Sequence, residues 1–337
     1  MLIPRNEHSY GIALSAWLFG LLALAAAVIV VLRIAELQRF AQLAEQARPF
    51  WLVVAAALQV LTYVCASAVW YLVLRREGAA RPLRSLVPLG VAKLFTDQAI
   101  PTGGISGTLL IMRGLARRGV PAPLAMGALL IGLVSFYTAY ALAGLAGLLV
   151  LQMRHPLGPA VAIVALVFAG FVIGVPALVL YARRPAAMRR LKWLNRLPGA
   201  KALIESVATA PAHLLRDKAL LLAATALQLA IFLLDSATLG VMLHAVGETA
   251  PAIFVFTAFM VADVIATIGP IPLGLGAFEG TAVAMLNLNG VSIEAAVTAT
   301  LLLRGFTFWL PMLPGLWLAR RELAGARPVA AGGEPPM

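Results

Sequence analysis

Charge is scarce in this chain. Only 12% of its 337 residues are Asp, Glu, Lys or Arg, while 62% are hydrophobic. Soluble domains are roughly one-quarter charged, and they could not bury this much apolar surface. A water-soluble enzyme or binding module is therefore excluded. Cysteine is nearly absent as well: Cys65 is the only one and sits inside an apolar run, which rules out an internal disulfide and a multi-cysteine metal site. The four histidines, His8, His155, His213 and His244, are too scattered for a metal-ligand cluster or a His-x4-Asp acyltransferase site. His213 precedes Asp217 by four positions, a pair that reads as a solvated contact on a basic segment. Nucleotide-binding Gly-x4-Gly-Lys-Ser/Thr loops and Asp-x-Asp pairs are missing too. No enzymatic activity, metal or cofactor is expected.

Long apolar runs are abundant. Five read as membrane helices, at about 11–32, 50–74, 122–151, 158–182 and 219–246, and a sixth at about 292–319 contains Arg304. A run of about 20 residues crosses a hydrocarbon core. The first exceeds a signal-peptide core and lacks a small-residue cleavage site, so it reads as a retained anchor. The fold class is an all-α polytopic integral membrane protein. Segments 75–93, 113–121, 183–218 and 320–337, with Arg5, carry 21 basic residues, whereas 33–49, 152–157 and 247–251 carry four. By the positive-inside rule the first set is cytoplasmic, as are both termini. The net charge of +12 thus serves orientation and anionic headgroups, and nucleic acid is not an expected partner.

Two stretches repeat each other half a chain apart. Ile100-Pro101-Thr102-Gly103 leads to Gly119-Val120, and Ile271-Pro272-Leu273-Gly274 leads to Gly290-Val291, every pair offset by 171 positions. Zone 86–119 begins and ends among basic residues. Its arms, 86–99 and 108–119, would be about 21 Å of helix at most, too short for a core of about 30 Å. A re-entrant hairpin fits, with Pro101, Gly103, Gly104 and Gly107 at its tip. Zone 252–290 would enter from the other face, with Pro270, Pro272, Gly274 and Gly276 at the tip; the alternative is an ordinary span at 252–274 followed by a surface loop. The expectation is about six full transmembrane helices plus two re-entrant hairpins in an inverted repeat. It forms a single transmembrane domain over 1–321: repeat 1 at about 50–151, repeat 2 at about 219–320, a basic connector at 183–218 and a disordered tail at 322–337. Broken backbone at membrane depth is tolerated where it lines a protein cavity, so the tips should face one.

Ionisable groups at that depth cost about 2.5–3.5 kcal/mol each and call for a reason. The candidates are Asp97, Asp235, Asp263, Glu279 and Arg304, with Arg113 at the edge of the first hairpin. Glu279 either pairs with Arg304 or accepts a proton. Arg304 either binds a lipid phosphate through its planar donor set or compensates Glu279 or Asp263. Asp235 and Asp263 read equally as proton carriers or buried structural partners. Thr102 and Ser106 supply hydroxyls near the first tip. Trp17, Trp70, Tyr137, Tyr140 and Trp309 read as packing or interfacial residues.

At these residues the chain resembles the flippase-like membrane family that includes the transmembrane domain of lysylphosphatidylglycerol synthases. The likeness rests on Ile100-Pro-Thr-Gly-Gly-Ile-Ser-Gly107 leading to Arg113, and on Pro272-Leu-Gly-Leu-Gly-Ala-Phe-Glu279 followed by Arg304. It implies movement of a phospholipid or other polar-headed lipid across the inner membrane, with anionic phospholipid, cardiolipin or a hopanoid-type lipid as candidate partners. Many members carry Gly-Gly-Glu in the first motif, where this chain has Ser106-Gly107-Thr108. The synthase branch adds a soluble catalytic domain, and only about 16 residues follow Arg321 here, so aminoacyl transfer is not expected of this chain. The expected function is a lipid flippase in which one repeat rocks against the other. The alternative is a non-transporting scaffold or accessory subunit for a lipid-biosynthesis enzyme partner.

Overall fold

A computed structural model describes residues 38, 42–43, 45–99, 104–154, 159–182, 207, 209–269 and 274–324. The expected anchor, most of the connector, and the tip residues Pro101, Thr102, Gly103, Pro270 and Pro272 lie outside the described residues. The chain divides into two compact units, Met1–Gln46 and Ala47–Met337. In the first, the described residues are helical. The second contains α1 (Pro49–Arg76), α2 (Leu83–Ala99), α3 (Ile105–Arg117), α4 (Ala122–Arg154), α5 (Pro159–Ala182), a 3-10 turn at Leu214–Arg216, α6 (Lys218–Ala245), α7 (Ala252–Ile268), α8 (Ala277–Leu288), α9 (Ile293–Arg304), a π turn at Gly305–Trp309 and α10 (Leu310–Ala324). There is no strand among the described residues.

Five stretches are long and apolar enough to cross a membrane: Pro49–Arg76, Ala122–Arg154, Ala162–Tyr181, Lys218–Ala245 and Ile293–Glu322. This is a multi-pass membrane protein. Ile163, Leu166, Ile173 and Leu178 of α5 and Phe50, Val53 and Val60 of α1 are exposed. In water such surface would drive aggregation; against acyl chains it is solvated.

The helix ends follow local chemistry. Pro49 opens α1, where its missing N–H costs nothing, and Arg75 and Arg76 close it against the helix dipole. Asp217 caps α6 by accepting the Leu220 N–H at 3.0 Å and pairs with Arg76 at 2.9 Å. That amide, and to a lesser degree the guanidinium, hold its carboxyl below the usual range. His213 turns to Glu77, at 2.7 Å, so the expected His213–Asp217 contact is replaced by two links to the end of α1.

Shifted by 171 positions, α1 falls on α6, α2 on α7, α3 on α8, and α4 on α9, the π turn and α10 together, each within two residues. The repeated Gly-Val is a shared helix stop. Val120 N–H donates to the Leu115 carbonyl and Gly119 N–H to Ala116, as Val291 does to Leu286 and Gly290 to Asn287. Both glycines take positive φ, 72° and 89°, completing the six-to-one and five-to-two bonds of a Schellman motif.

The halves are interlocked. α1 and α6 form the most extensive helix pair, while α2 packs on α10 of the second half and α7 packs on α4 of the first. Both of the latter contacts use a glycine at the same repeat position. A Cβ on Gly315 would lie 2.6 Å from the Phe95 Cβ, and one on Gly144 would lie 3.4 Å from Val264 and 2.5 Å from the Phe168 ring. Small residues let membrane helices approach closely where burial from water cannot drive them together.

Three boundaries differ from the sequence expectation. α2 starts at Leu83, because Pro82 accepts both the N–H and the hydroxyl of Ser85, and its 17 residues span about 26 Å. The sixth apolar run is a helix interrupted by the π turn. Glu322, expected to open the tail, is helical and bound by Arg118 at 2.8 Å and Arg117 at 3.3 Å, and residues 325–337 lie outside the described residues.

Candidate functional site

A cavity of about 450 Å³ opens beside Gly269, which follows the end of α7, and Gly274, which precedes α8. Its polar lining comes from Gln98 of α2, Asp235 of α6, Asp263 and Thr267 of α7, Arg304 of α9 and Thr307 of the π turn. Phe259, Phe278 and Phe308 supply aromatic wall.

Arg304 is the central cation. Its Nε donates to Glu279 Oε1 at 2.5 Å, with both side chains about one-fifth exposed. The guanidinium lies over the rings of Phe278 and Phe308, 4.8 and 5.9 Å from their centroids. Each such contact adds about 0.5–2 kcal/mol where water is scarce. Glu279 is itself anchored: its other oxygen accepts the Gly276 N–H at 2.6 Å, at the start of α8. There the helix dipole favours an anion. The π turn follows directly on Arg304, and the widened backbone brings Thr307 and Phe308 to the same cavity wall as Arg304. Local π insertions of this kind concentrate at functional sites.

Two further carboxylates face the cavity. Asp235 accepts from Gln59 Nε2 at 3.0 Å, and the same amide reaches Thr238 Oγ1 at 3.2 Å. The Tyr140 hydroxyl meets Thr267 Oγ1 at 2.8 Å and interacts electrostatically with Asp263. Tyr140 is held by a stacked contact with Phe232 and an edge contact with Phe168. Among the described residues Gln98 Oε1 has no hydrogen-bond partner.

Of the residues selected from the sequence, Asp235, Asp263, Glu279 and Arg304 converge here. Asp97 does not: it pairs with Lys93 at 2.6 Å and accepts the Gly107 N–H at 2.9 Å, tying α2 to the start of α3. A Cβ on Gly107 would fall 2.2 Å from the Asp97 carboxylate and displace it from this bond. Ser106 Oγ donates to the Thr96 carbonyl at 3.3 Å and also belongs to that joint. Arg113 is exposed on α3, outside the cavity wall. Gly274 lines the cavity, while Gly104 and Gly276 precede α3 and α8 with positive φ. Thr102 lies outside the described residues. Sequence reasoning missed Gln59 and Thr267, which are neutral, and assigned Tyr140 to packing or the membrane interface. Among the described residues no group of three or more His, Cys, Asp or Glu could hold a metal ion.

Residues 12–315 match the family model described as the lysylphosphatidylglycerol synthase TM region. No curated protein matches the chain.

Proposed function

We propose that this chain, which belongs to the family of lysylphosphatidylglycerol synthase transmembrane regions, moves a polar-headed lipid between the leaflets of the inner membrane. The observation that supports this reading is the Arg304–Glu279 pair beside the cavity formed at the break between α7 and α8. A guanidinium offers two parallel donors to a phosphate, and Arg304 presents its group at the wall of a cavity lined by both halves of the chain. The lipid headgroup occupies the cavity while its tails remain in the bilayer.

In this reading α2–α3 and α7–α8 are re-entrant hairpins of an inverted repeat. α3 has 13 residues and α8 has 12, about 20 and 18 Å, short of a core of about 30 Å. Both termini are cytoplasmic, following the distribution of Lys and Arg. The interlock of α2 with α10 and of α7 with α4 disfavours rocking of intact halves. Movement of the hairpins against the α1–α6 pair fits the packing better.

The test is leaflet exchange of fluorescent phospholipids with different headgroups in liposomes containing the protein, with and without a proton gradient. Exchange above that of empty liposomes is expected for at least one headgroup. Exchange no faster than in empty liposomes for every headgroup would favour a scaffold for a lipid-modifying enzyme.

A further inference from the structure

The groove at the far end of α2, α3 and α10 is separate from the cavity. It measures about 390 Å³ and is lined by Arg84, Ser85 and Pro88 of α2, Arg117 and Arg118 of α3, and Leu318, Arg321 and Glu322 of α10. Four arginines face one carboxylate there, and that carboxylate is committed. Glu322 takes Arg118 through both oxygens at 2.8 and 3.3 Å, and Arg117 at 3.3 Å. Arg117 also donates to the Arg321 and Glu322 carbonyls, and Arg118 to the Gly114 carbonyl. These bonds fasten α3 to α10 and, among the described residues, leave two guanidiniums uncompensated. Arg321 lies 5.6 Å over the Trp317 ring and has no acidic partner among the described residues. Arg84 is exposed and has no ion pair or hydrogen bond among them.

An apolar track ends at the groove. Leu310, Leu313 and Trp317 of α10 are 40%, 72% and 61% exposed at spacings of three and four residues. They therefore lie along one face of α10, and Trp317 ends that face against Arg321. Uncompensated guanidiniums at the end of an exposed apolar helix face match the two parts of a phospholipid.

We propose that this groove binds the phosphate of an anionic phospholipid, with Arg84 and Arg321 supplying the charge and the α10 face carrying an acyl chain. Glu322 neutralises Arg117 and Arg118 and holds the walls in place. The groove lies at the basic ends of its helices, where guanidinium forks recognise phosphate and cytoplasmic-leaflet anions concentrate. Bound lipid would brace α10 against the hairpin α2–α3.

Native mass spectrometry of the full chain released from vesicles of phosphatidylcholine and phosphatidylglycerol tests this. The wild type should retain phosphatidylglycerol in preference. Arg84→Gln with Arg321→Gln should weaken that retention by about fivefold per arginine, and Lys at both positions should restore part of it. Arg75→Gln, which removes half as much charge at the exposed end of α1, should leave it intact. Equal losses in Arg75→Gln and the double variant would reduce the effect to diffuse surface charge and overturn the site. So would loss in Glu279→Gln/Arg304→Gln alone, which would put the lipid in the cavity. Displacement by inorganic phosphate as effective as by lipid would overturn the lipid assignment.

Discussion

In the second half of the chain, Asp235, Asp263 and Arg304 line the cavity, and Glu279 binds Arg304. The positions 171 residues earlier hold Val64, Ala92, Thr108 and Leu133. The two halves share their helices, their helix stops and their glycine contacts, yet none of these four charges has a charged counterpart. The first hairpin is closed differently. Asp97 of α2 reaches across to the Gly107 N–H, whereas in the second hairpin Glu279 caps its own helix and extends its other oxygen to α9. Thr108, at the Glu279 position, donates back to the Gly104 carbonyl at 2.8 Å. One hairpin is thus closed on itself, and the other is tied to a spanning helix through a charge pair at the cavity. Duplicated architecture does not require duplicated chemistry.

The largest effect expected from disturbing this asymmetry comes from Arg304→Gln. It leaves Glu279 without its cation and should cost about 3 kcal/mol of stability, with loss of leaflet exchange. Glu279→Gln with Arg304→Gln should recover most of that stability in a thermal unfolding assay. Building the missing charge into the first half is the converse. Thr108→Glu alone should destabilise by about 2.5 kcal/mol, the insertion cost of a carboxylate at membrane depth, and adding Leu133→Arg should restore part of it. Gly315→Ala tests the shared frame: its Cβ must displace Phe95, which should cost about 2 kcal/mol in the same assay. Asp97→Ala removes a helix cap and a partly exposed ion pair, so it should cost about 1 kcal/mol and leave exchange at the wild-type rate. The smallest effect belongs to Asp217. Its depressed folded-state pKa means its contribution is present above the unfolded value of about 3.9 and fades as pH falls through the folded one. The melting-temperature gap between wild type and Asp217→Asn should therefore be open at neutral pH and closed in acid.

Much of this was legible in the sequence because membrane depth makes charge conspicuous. Asp235, Asp263, Glu279 and Arg304 stood out in apolar runs, and four of four reach the cavity or its cation. The same rule selected Asp97 and Arg113, which serve the joint of a hairpin and an exposed helix face. Sequence places a residue near a boundary only to within a helical turn, and one turn separates cavity from lipid. Neutral partners were invisible for a different reason. Gln59, Tyr140 and Thr267 carry no charge whose burial demands explanation, and only the fold brings Gln59 to Asp235 and joins Tyr140 to Thr267 at the cavity wall. The π turn lies just before Pro311, which cannot donate an N–H back to the Thr307 carbonyl, a signal that sequence reasoning left unused. A second signal is Gly305, directly after Arg304.

The most direct test of the cavity's role compares leaflet exchange by the wild type with that by Glu279→Gln/Arg304→Gln, after thermal unfolding has established that both are folded. Exchange reduced to the empty-liposome rate in the double variant is the predicted result. Exchange at the wild-type rate would contradict a headgroup path past Arg304 and leave the pair a purely structural tie between α8 and α9.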